Sequence, residues 1–158
     1  MIKSVRTALM AFLLVGCTSA KSQSMPYKSW YLGFSAPAYM EVWIETADVI
    51  DIQGLVYRRA MSGVASMLSP PNNAGDPRGW PKRPALGSGE HVIGADLPKK
   101  IYVRWQSLVE PQTYKMLVSI DESTREIMRK AENAYCTADN KWITGYRNNL
   151  GIRLVPGG

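Results

Sequence analysis

The chain has 158 residues, of which 46% are apolar and 20% are charged, and its formal net charge is +6 at pH 7. This apolar content excludes global disorder, and the length predicts one main domain. Lys3 and Arg6 lie in residues 1–16, which contain no acid, so the rest of the chain carries six minus two, a net charge of +4. So mild an excess does not indicate a nucleic-acid-binding protein.

The N-terminus has the parts of an export signal, followed by a lipidation motif. Lys3 and Arg6 form a short positive region, and Ala8–Val15 is an apolar stretch far shorter than the ~20 residues that span a bilayer. Leu14-Val15-Gly16-Cys17 follows directly and resembles the lipobox of bacterial lipoproteins. We therefore expect cleavage before Cys17 and lipid on its thiol. The alternative is an ordinary signal peptide with a stray cysteine.

Two or three acyl chains on that cysteine would hold the mature protein at a membrane without a spanning segment. Thr18 occupies the position where an aspartate commonly retains lipoproteins at the inner membrane, so similarity to such proteins implies a lipid anchor at the outer membrane, facing the periplasm. The predicted organisation is a signal peptide at 1–16, an anchor and tether at 17–29, and a single β-rich domain at 30–158.

Strand patterns dominate the beginning of that domain. Residues 39–46 alternate with period two, which is typical of a half-buried strand, and Trp43 falls on the face that also carries Glu41 and Glu45. Exposure of Trp43 is compatible with this pattern. The next predicted strands are 49–52, 55–59 and 64–68, the first two of them joined by a tight turn at Gly54.

A long loop is predicted at 69–98, because its six prolines and five glycines oppose a regular helix or a central strand. A loop of this length is usually functional or disordered. It contains the candidate partner-binding residues Arg78, Trp80, Lys82 and Arg83, and a large aromatic side chain among cations is typical of a binding hot spot. The alternative is a loop folded back on the domain, with Trp80 covering the edge of the core.

The second half predicts strands at 100–108, 113–120 and 151–155, with the side chain of Trp105 in the core, and a helix at about 121–133. Asp121 or Ser123 can cap this helix. The expected fold class is therefore α+β and β-rich, a mainly antiparallel, sandwich-like sheet with one clear helix. The chain stops after a predicted strand and Pro156-Gly157-Gly158, so we expect a C-terminal truncation.

Candidates for catalysis or metal binding are few. His91 is the chain's one histidine, and the nearby Ser88 lacks a G-x-S-x-G context. The carboxylate pairs Glu41/Glu45 and Asp48/Asp51 are interpreted as solvated charges.

Cys136 is alone once Cys17 carries lipid, so it is either buried and inert or has lost a partner beyond the chain end. We therefore expect no enzyme activity, no cofactor, no metal and no small-molecule substrate, with a cryptic hydrolase as the least favoured reading.

Several segments resemble a family of uncharacterised proteobacterial lipoproteins known only as a domain of unknown function. They are Tyr39–Glu45, Asp48–Asp51, Pro70–Asn73, Gly79–Pro84 and, most specifically, Tyr102–Tyr114, and the resemblance covers most of residues 26–157. The family has no assigned catalytic residue, so none is carried over.

The resemblance implies a genomic neighbourhood. Genes of family members resemble neighbours of the genes for type VI secretion spike proteins and lipase effectors, where a periplasmic lipoprotein would serve as the immunity partner. The leading hypothesis is therefore a periplasm-facing lipoprotein that binds and neutralises a secreted lipase effector. The alternative is an envelope-associated structural lipoprotein without a toxin partner.

Overall fold

The computed structural model describes residues 25–68 and 86–155, and for 66–68 it describes the backbone alone. Most of these residues form strands, and one segment forms a helix. In chain order the elements are β1 Ser29–Pro37, β2 Val42–Asp51, β3 Val56–Val64, β4 Ser66–Leu68, β5 Ser88–Ile93, β6 Pro98–Ser107, β7 Thr113–Ser119, α1 Glu122–Arg129, β8 Ala131–Cys136, β9 Lys141–Tyr146 and β10 Asn149–Arg153.

Two four-stranded sheets make up the body. In one, the strands run antiparallel in the order β3-β2-β6-β7. In the other, β1 is central and pairs with β10 and β4 in parallel and with β5 antiparallel. Strands β8 and β9 form a separate two-stranded hairpin. The predicted β-rich, mainly antiparallel, sandwich-like fold with one helix is confirmed.

The inner faces of both sheets form one hydrophobic core. Trp30, Leu32 and Phe34 of β1 are fully buried, and they belong to the same apolar cluster as Ile44 of β2 and Val103 of β6. Alternate residues of β1 and β6 point into this cluster, because successive strand residues alternate between faces. Trp105 is 4% exposed, as predicted, and Trp43 is 47% exposed, which agrees with the face that it shares with two glutamates.

The β2–β3 hairpin turns where the sequence predicted it. Gly54 has φ of +83°, a conformation that favours glycine. The two predicted strands at 39–46 and 49–52 are one strand, however. Register shifts between Ile44 and Ala47 and between Ala47 and Val49 break the alternation inside β2, so a period-two reading divides it in two.

The prediction of an uninterrupted loop at 69–98 was wrong for its last part, where Ser88–Ile93 forms β5 against β1 and Pro98 begins β6. Glycine at 89 permits this pairing, because a Cβ atom there would overlap the carbonyl oxygen of Leu32. Glycine at 89 therefore marks a position where β5 and β1 approach each other closely.

The helix is shorter than predicted. It has the expected cap, since the Asp121 carboxylate accepts a hydrogen bond from the backbone N–H of Thr124 at 2.7 Å. It ends at Arg129, because Lys130 has an extended backbone (φ −70°, ψ 121°) and the chain continues into β8. Buried Arg125 and Met128 attach α1 to the body, where the Arg125 guanidinium donates to the carbonyl oxygens of Pro98 and Ile120.

Candidate binding surfaces

The sequence-predicted site residues Cys17, Arg78, Trp80, Lys82 and Arg83 lie outside the described residues. The interpretation of 78–83 as a partner-binding loop stays a prediction. The surfaces described below are different ones, and sequence reasoning did not single them out.

His91 lies on the exposed side of β5, which corrects its expected placement in a loop. Its Nδ1 is 3.5 Å from the Ser29 hydroxyl oxygen, and its ring meets Tyr31 edge-on at a centroid distance of 5.4 Å. Ser88 is three residues away on the same strand and therefore points to the other face. The structure does not bring these two side chains together as nucleophile and base.

Three of the four carboxylates that we considered for catalysis, Glu45, Asp48 and Asp51, have structural partners. Asp48 accepts hydrogen bonds from the Thr46 hydroxyl at 2.7 Å and from the Arg59 backbone N–H at 2.9 Å. Glu45 pairs with Arg104 at 2.9 Å. Asp51 is 1% exposed, and backbone N–H groups surround its carboxylate. The interpretation of Asp51 as a solvated charge was therefore wrong, because it organises the β2–β3 turn from inside the fold.

Within residues 25–68 and 86–155, no group of three or more histidine, cysteine or acidic side chains could hold a metal ion. The same part of the chain contains no helix that is long and apolar enough to cross a membrane. Cys136 has a free thiol on β8 and is half-buried.

The β8–β9 hairpin exposes two large aromatic side chains. Tyr135 and Trp142 are directly opposite each other across the two strands, and their rings meet edge-on at 5.4 Å and 63°. Trp142 is 70% exposed and Tyr135 is 47% exposed. We call these two residues the hairpin aromatic pair. Ile143, which follows Trp142, is exposed on the opposite face of the hairpin.

The base of the hairpin is held to the body by an aromatic cluster. Tyr27 contacts Tyr146 at a centroid distance of 5.4 Å, and its hydroxyl donates to the carbonyl oxygen of Met128 at 3.1 Å. Burial raises the pKa of Tyr27 to about 12, so this hydroxyl keeps the proton that it donates. An ion pair between Arg147 and Glu132 at 2.9 Å joins the two strands near the same end. The Tyr27 contacts connect the base of the hairpin to the body.

A second surface is an apolar cleft at the edge of the sandwich, between β7 of one sheet and β10 of the other. Its accessible volume is about 80 Å³, and we call it the β7–β10 cleft. Its lining is aliphatic apart from Trp105 and Arg153, with Val103, Met116, Val118, Ile152, Leu154 and Val155 forming the rest.

Two features of this cleft are unusual for the edge of a folded core. Met116 lies in its lining and is still 58% exposed. The Trp105 ring is buried and stacks on Tyr114 at 5.5 Å, yet its indole Nε1 has no hydrogen-bond partner in the part of the chain that the structure describes. Buried polar groups of this kind normally have a partner.

Sequence reasoning missed both surfaces for identifiable reasons. The hairpin was partly absorbed into a predicted helix at 121–133, although the aromatic and β-branched residues Trp142-Ile143-Thr144 favour a strand. The cleft depends on how two sheets meet, which no local pattern records.

Comparison with known proteins places the chain in a family but gives no function. No curated protein and no solved structure matches it. A family model does match, over residues 17–158, and its description is "protein of unknown function (DUF2931)". This confirms the resemblance to a domain-of-unknown-function family. Because the match covers nearly the whole sequence, the chain belongs to the DUF2931 family.

Proposed function

We propose that this protein is a lipid-anchored binding protein of the cell envelope, and that it acts as the immunity partner of a type VI secretion lipase effector. The observation that carries the binding role is the hairpin aromatic pair. Tyr135 and Trp142 are exposed at a defined position on a hairpin whose base is fixed to the body.

The composition of this surface favours a protein partner. Tryptophan and tyrosine are the residues most enriched in interface hot spots, because each buries a large area while losing little side-chain entropy. The cross-strand contact between the two rings already restricts their rotamers, and the ladder of backbone hydrogen bonds in the hairpin restricts the backbone. Less freedom is therefore lost when a partner binds.

The shape of the hairpin also suits insertion into the cleft of an enzyme, which would block that cleft. A two-stranded hairpin is narrow, and this one exposes apolar side chains on both faces, Trp142 on one and Ile143 on the other. Active sites are concave and lined largely by apolar side chains, above all those that accept lipid. An immunity protein that inserts such a hairpin needs no catalytic group of its own.

Two observations support the envelope location. The lipobox ends at Cys17, and the family match begins at the same residue. The mature family domain would then start at the acylated cysteine. A tether there would hold the protein in the compartment that a secreted lipase enters.

The test is direct binding to the product of the adjacent effector gene. Full-length protein should co-purify with it, and Y135A combined with W142A should weaken the affinity by about 2 kcal/mol or more, roughly 30-fold. The matched control is W43A, which also removes an exposed tryptophan but lies on β2, away from the hairpin. W43A should bind as the wild type does.

Two results would contradict this proposal. Absence of binding to the adjacent effector would favour the alternative, an envelope-associated structural lipoprotein without a toxin partner. Equal binding by the wild type and the Tyr135/Trp142 double variant would retain an immunity role but remove the hairpin from the interface.

A further inference from the structure

We propose that the β7–β10 cleft binds an extended segment of a partner protein, which adds as a strand along β7 and alternates apolar side chains in the cleft with an acidic residue beside Lys115. This inference goes beyond the proposed function and uses none of the hairpin residues.

The backbone of β7 supplies the first argument. Among the described strands β7 pairs with β6 alone, so one row of its N–H and C=O groups faces away from the sheet. An unpaired edge of this kind is a template for another extended chain. Recognition by strand addition uses such an edge for affinity and the pockets beside it for specificity.

The side chains beside that edge supply the second argument. Met116 points into an apolar cleft that nothing in the described part of the chain fills, so a residue of the added strand that lies beside it would bury both side chains. Trp105 also lines the cleft, and its buried Nε1–H has no acceptor in that part of the chain.

Charge at the outer face of β7 identifies the occupant. Lys115 is directly opposite Arg104 across the two strands, an arrangement of like charges that is unfavourable by itself. Arg104 pairs with Glu45, whereas Lys115 makes no ion pair with any described residue. An added strand places its outward side chains beside Lys115, and an acid there supplies the missing partner.

The same lysine argues against a second copy as the occupant. Lysine on an edge strand opposes pairing of that edge with itself, because two-fold pairing brings the two lysines near one another. The charge of Lys115 attracts a partner segment that carries aspartate or glutamate, whereas it repels the same lysine of a second copy. The cleft therefore fits an acidic, alternating strand from another protein.

The probe is a capped peptide of about seven residues, the usual length of a strand, with the order threonine, valine, glutamate, valine, glutamate, valine, threonine. Its binding to the full chain is measured by fluorescence anisotropy of a labelled copy. M116Q should weaken binding about tenfold or more, because it puts a polar side chain into the cleft. The matched control is L117Q, a change at the next and similarly exposed residue, which points to the other face and should leave binding unchanged.

Two further measurements test the backbone and the charge. The same peptide with alternate backbone nitrogens methylated should lose binding, because it cannot donate to β7. The peptide with both glutamates replaced by glutamine should bind several-fold more weakly to the wild type, and K115Q should remove that difference.

Three results would each overturn the proposal. They are absence of peptide binding, equal effects of M116Q and L117Q on binding, and a peptide affinity that N-methylation leaves unchanged. A dimer in solution that M116Q dissociates would assign the cleft to a second copy. Peptide binding that begins only when residues 69–85 are replaced by a Gly/Ser linker would assign it to that segment of the chain. The double variant of Tyr135 and Trp142 should bind the peptide as the wild type does, so this test and the hairpin test fail independently.

Discussion

We expect replacement of Asp51, a buried residue at the β2–β3 turn, to be among the most destabilising single changes in this protein. One of its carboxylate oxygens accepts hydrogen bonds from the backbone N–H groups of Gln53 at 2.9 Å and Leu55 at 3.0 Å. The other accepts from the N–H of Asp96 at 3.2 Å. One side chain thus holds the β2–β3 turn and ties it to the segment that leads into β6.

The magnitude follows from what each amide loses. D51A removes the acceptor of three N–H groups, and an unsatisfied buried donor costs about 1–3 kcal/mol. Gln53 and Leu55 are exposed residues whose amides regain part of their hydration, and removal of a buried charge offsets part of the loss. We therefore expect D51A to lower the free energy of unfolding by about 2–4 kcal/mol. D51N keeps one side-chain oxygen but turns an NH₂ group toward one set of donors. We expect it to lower the free energy of unfolding by about half as much as D51A does.

The assay is equilibrium unfolding in urea, with the slope compared between variants so that only stability is read. The control is D139A, which removes an exposed carboxylate that pairs with Lys141 at 3.2 Å and should change stability by less than about 0.5 kcal/mol. A loss below about 1 kcal/mol for D51A, or a D51N variant as unstable as D51A, would mean that these hydrogen bonds do not hold the turn.

Three other predictions concern the fold and the anchor. G89A should lower stability by about 1–3 kcal/mol or more, because its Cβ would overlap the backbone of β1. G145A should cost much less by the same urea assay, because the nearest neighbour of its Cβ would be the Ala134 methyl group at 3.1 Å. Hydrogen bonds from Thr124 lower the pKa of Asp121 below 3.8, and Arg129 followed by Arg125 lowers that of Glu122 below 4.5. These carboxylates contribute their full stability at pH values above their ordinary pKa values, and the contribution is lost as the pH falls through their lower pKa values in the folded protein. D121A should therefore flatten the acid limb of a curve of stability against pH. C17S should abolish incorporation of labelled palmitate and release the protein from membranes, whereas C136S should do neither.

The sequence predicted those parts of the fold that depend on local patterns. Alternation placed Trp105 inside and was compatible with exposure of Trp43, and glycine at 54 located the β2–β3 turn. It failed where distant contacts decide the structure. Glycine at 89 is a loop signal by composition, yet it allows β5 to approach β1, a contact between residues about sixty positions apart. Likewise, nothing local distinguishes the end of α1 from its continuation through 131–133.

The candidate site was less predictable than the fold. The sequence favoured an aromatic residue with cationic neighbours at 78–83, which lies outside the described residues. The hairpin aromatic pair consists of residues seven positions apart in sequence that face each other only once the hairpin forms. The β7–β10 cleft requires both sheets to be in place. Surfaces of this kind arise from the packing of elements, so local sequence patterns could not locate them.

Photocrosslinking in living cells shows whether the proposed effector partner contacts the hairpin. Benzoylphenylalanine is placed at position 142 of the otherwise unchanged protein, in cells that also make that effector, and at position 43 as the control. We expect an adduct that contains the effector from position 142 and none from position 43. An adduct from position 43 alone, or none from either position in cells that accumulate both proteins, would contradict this expectation.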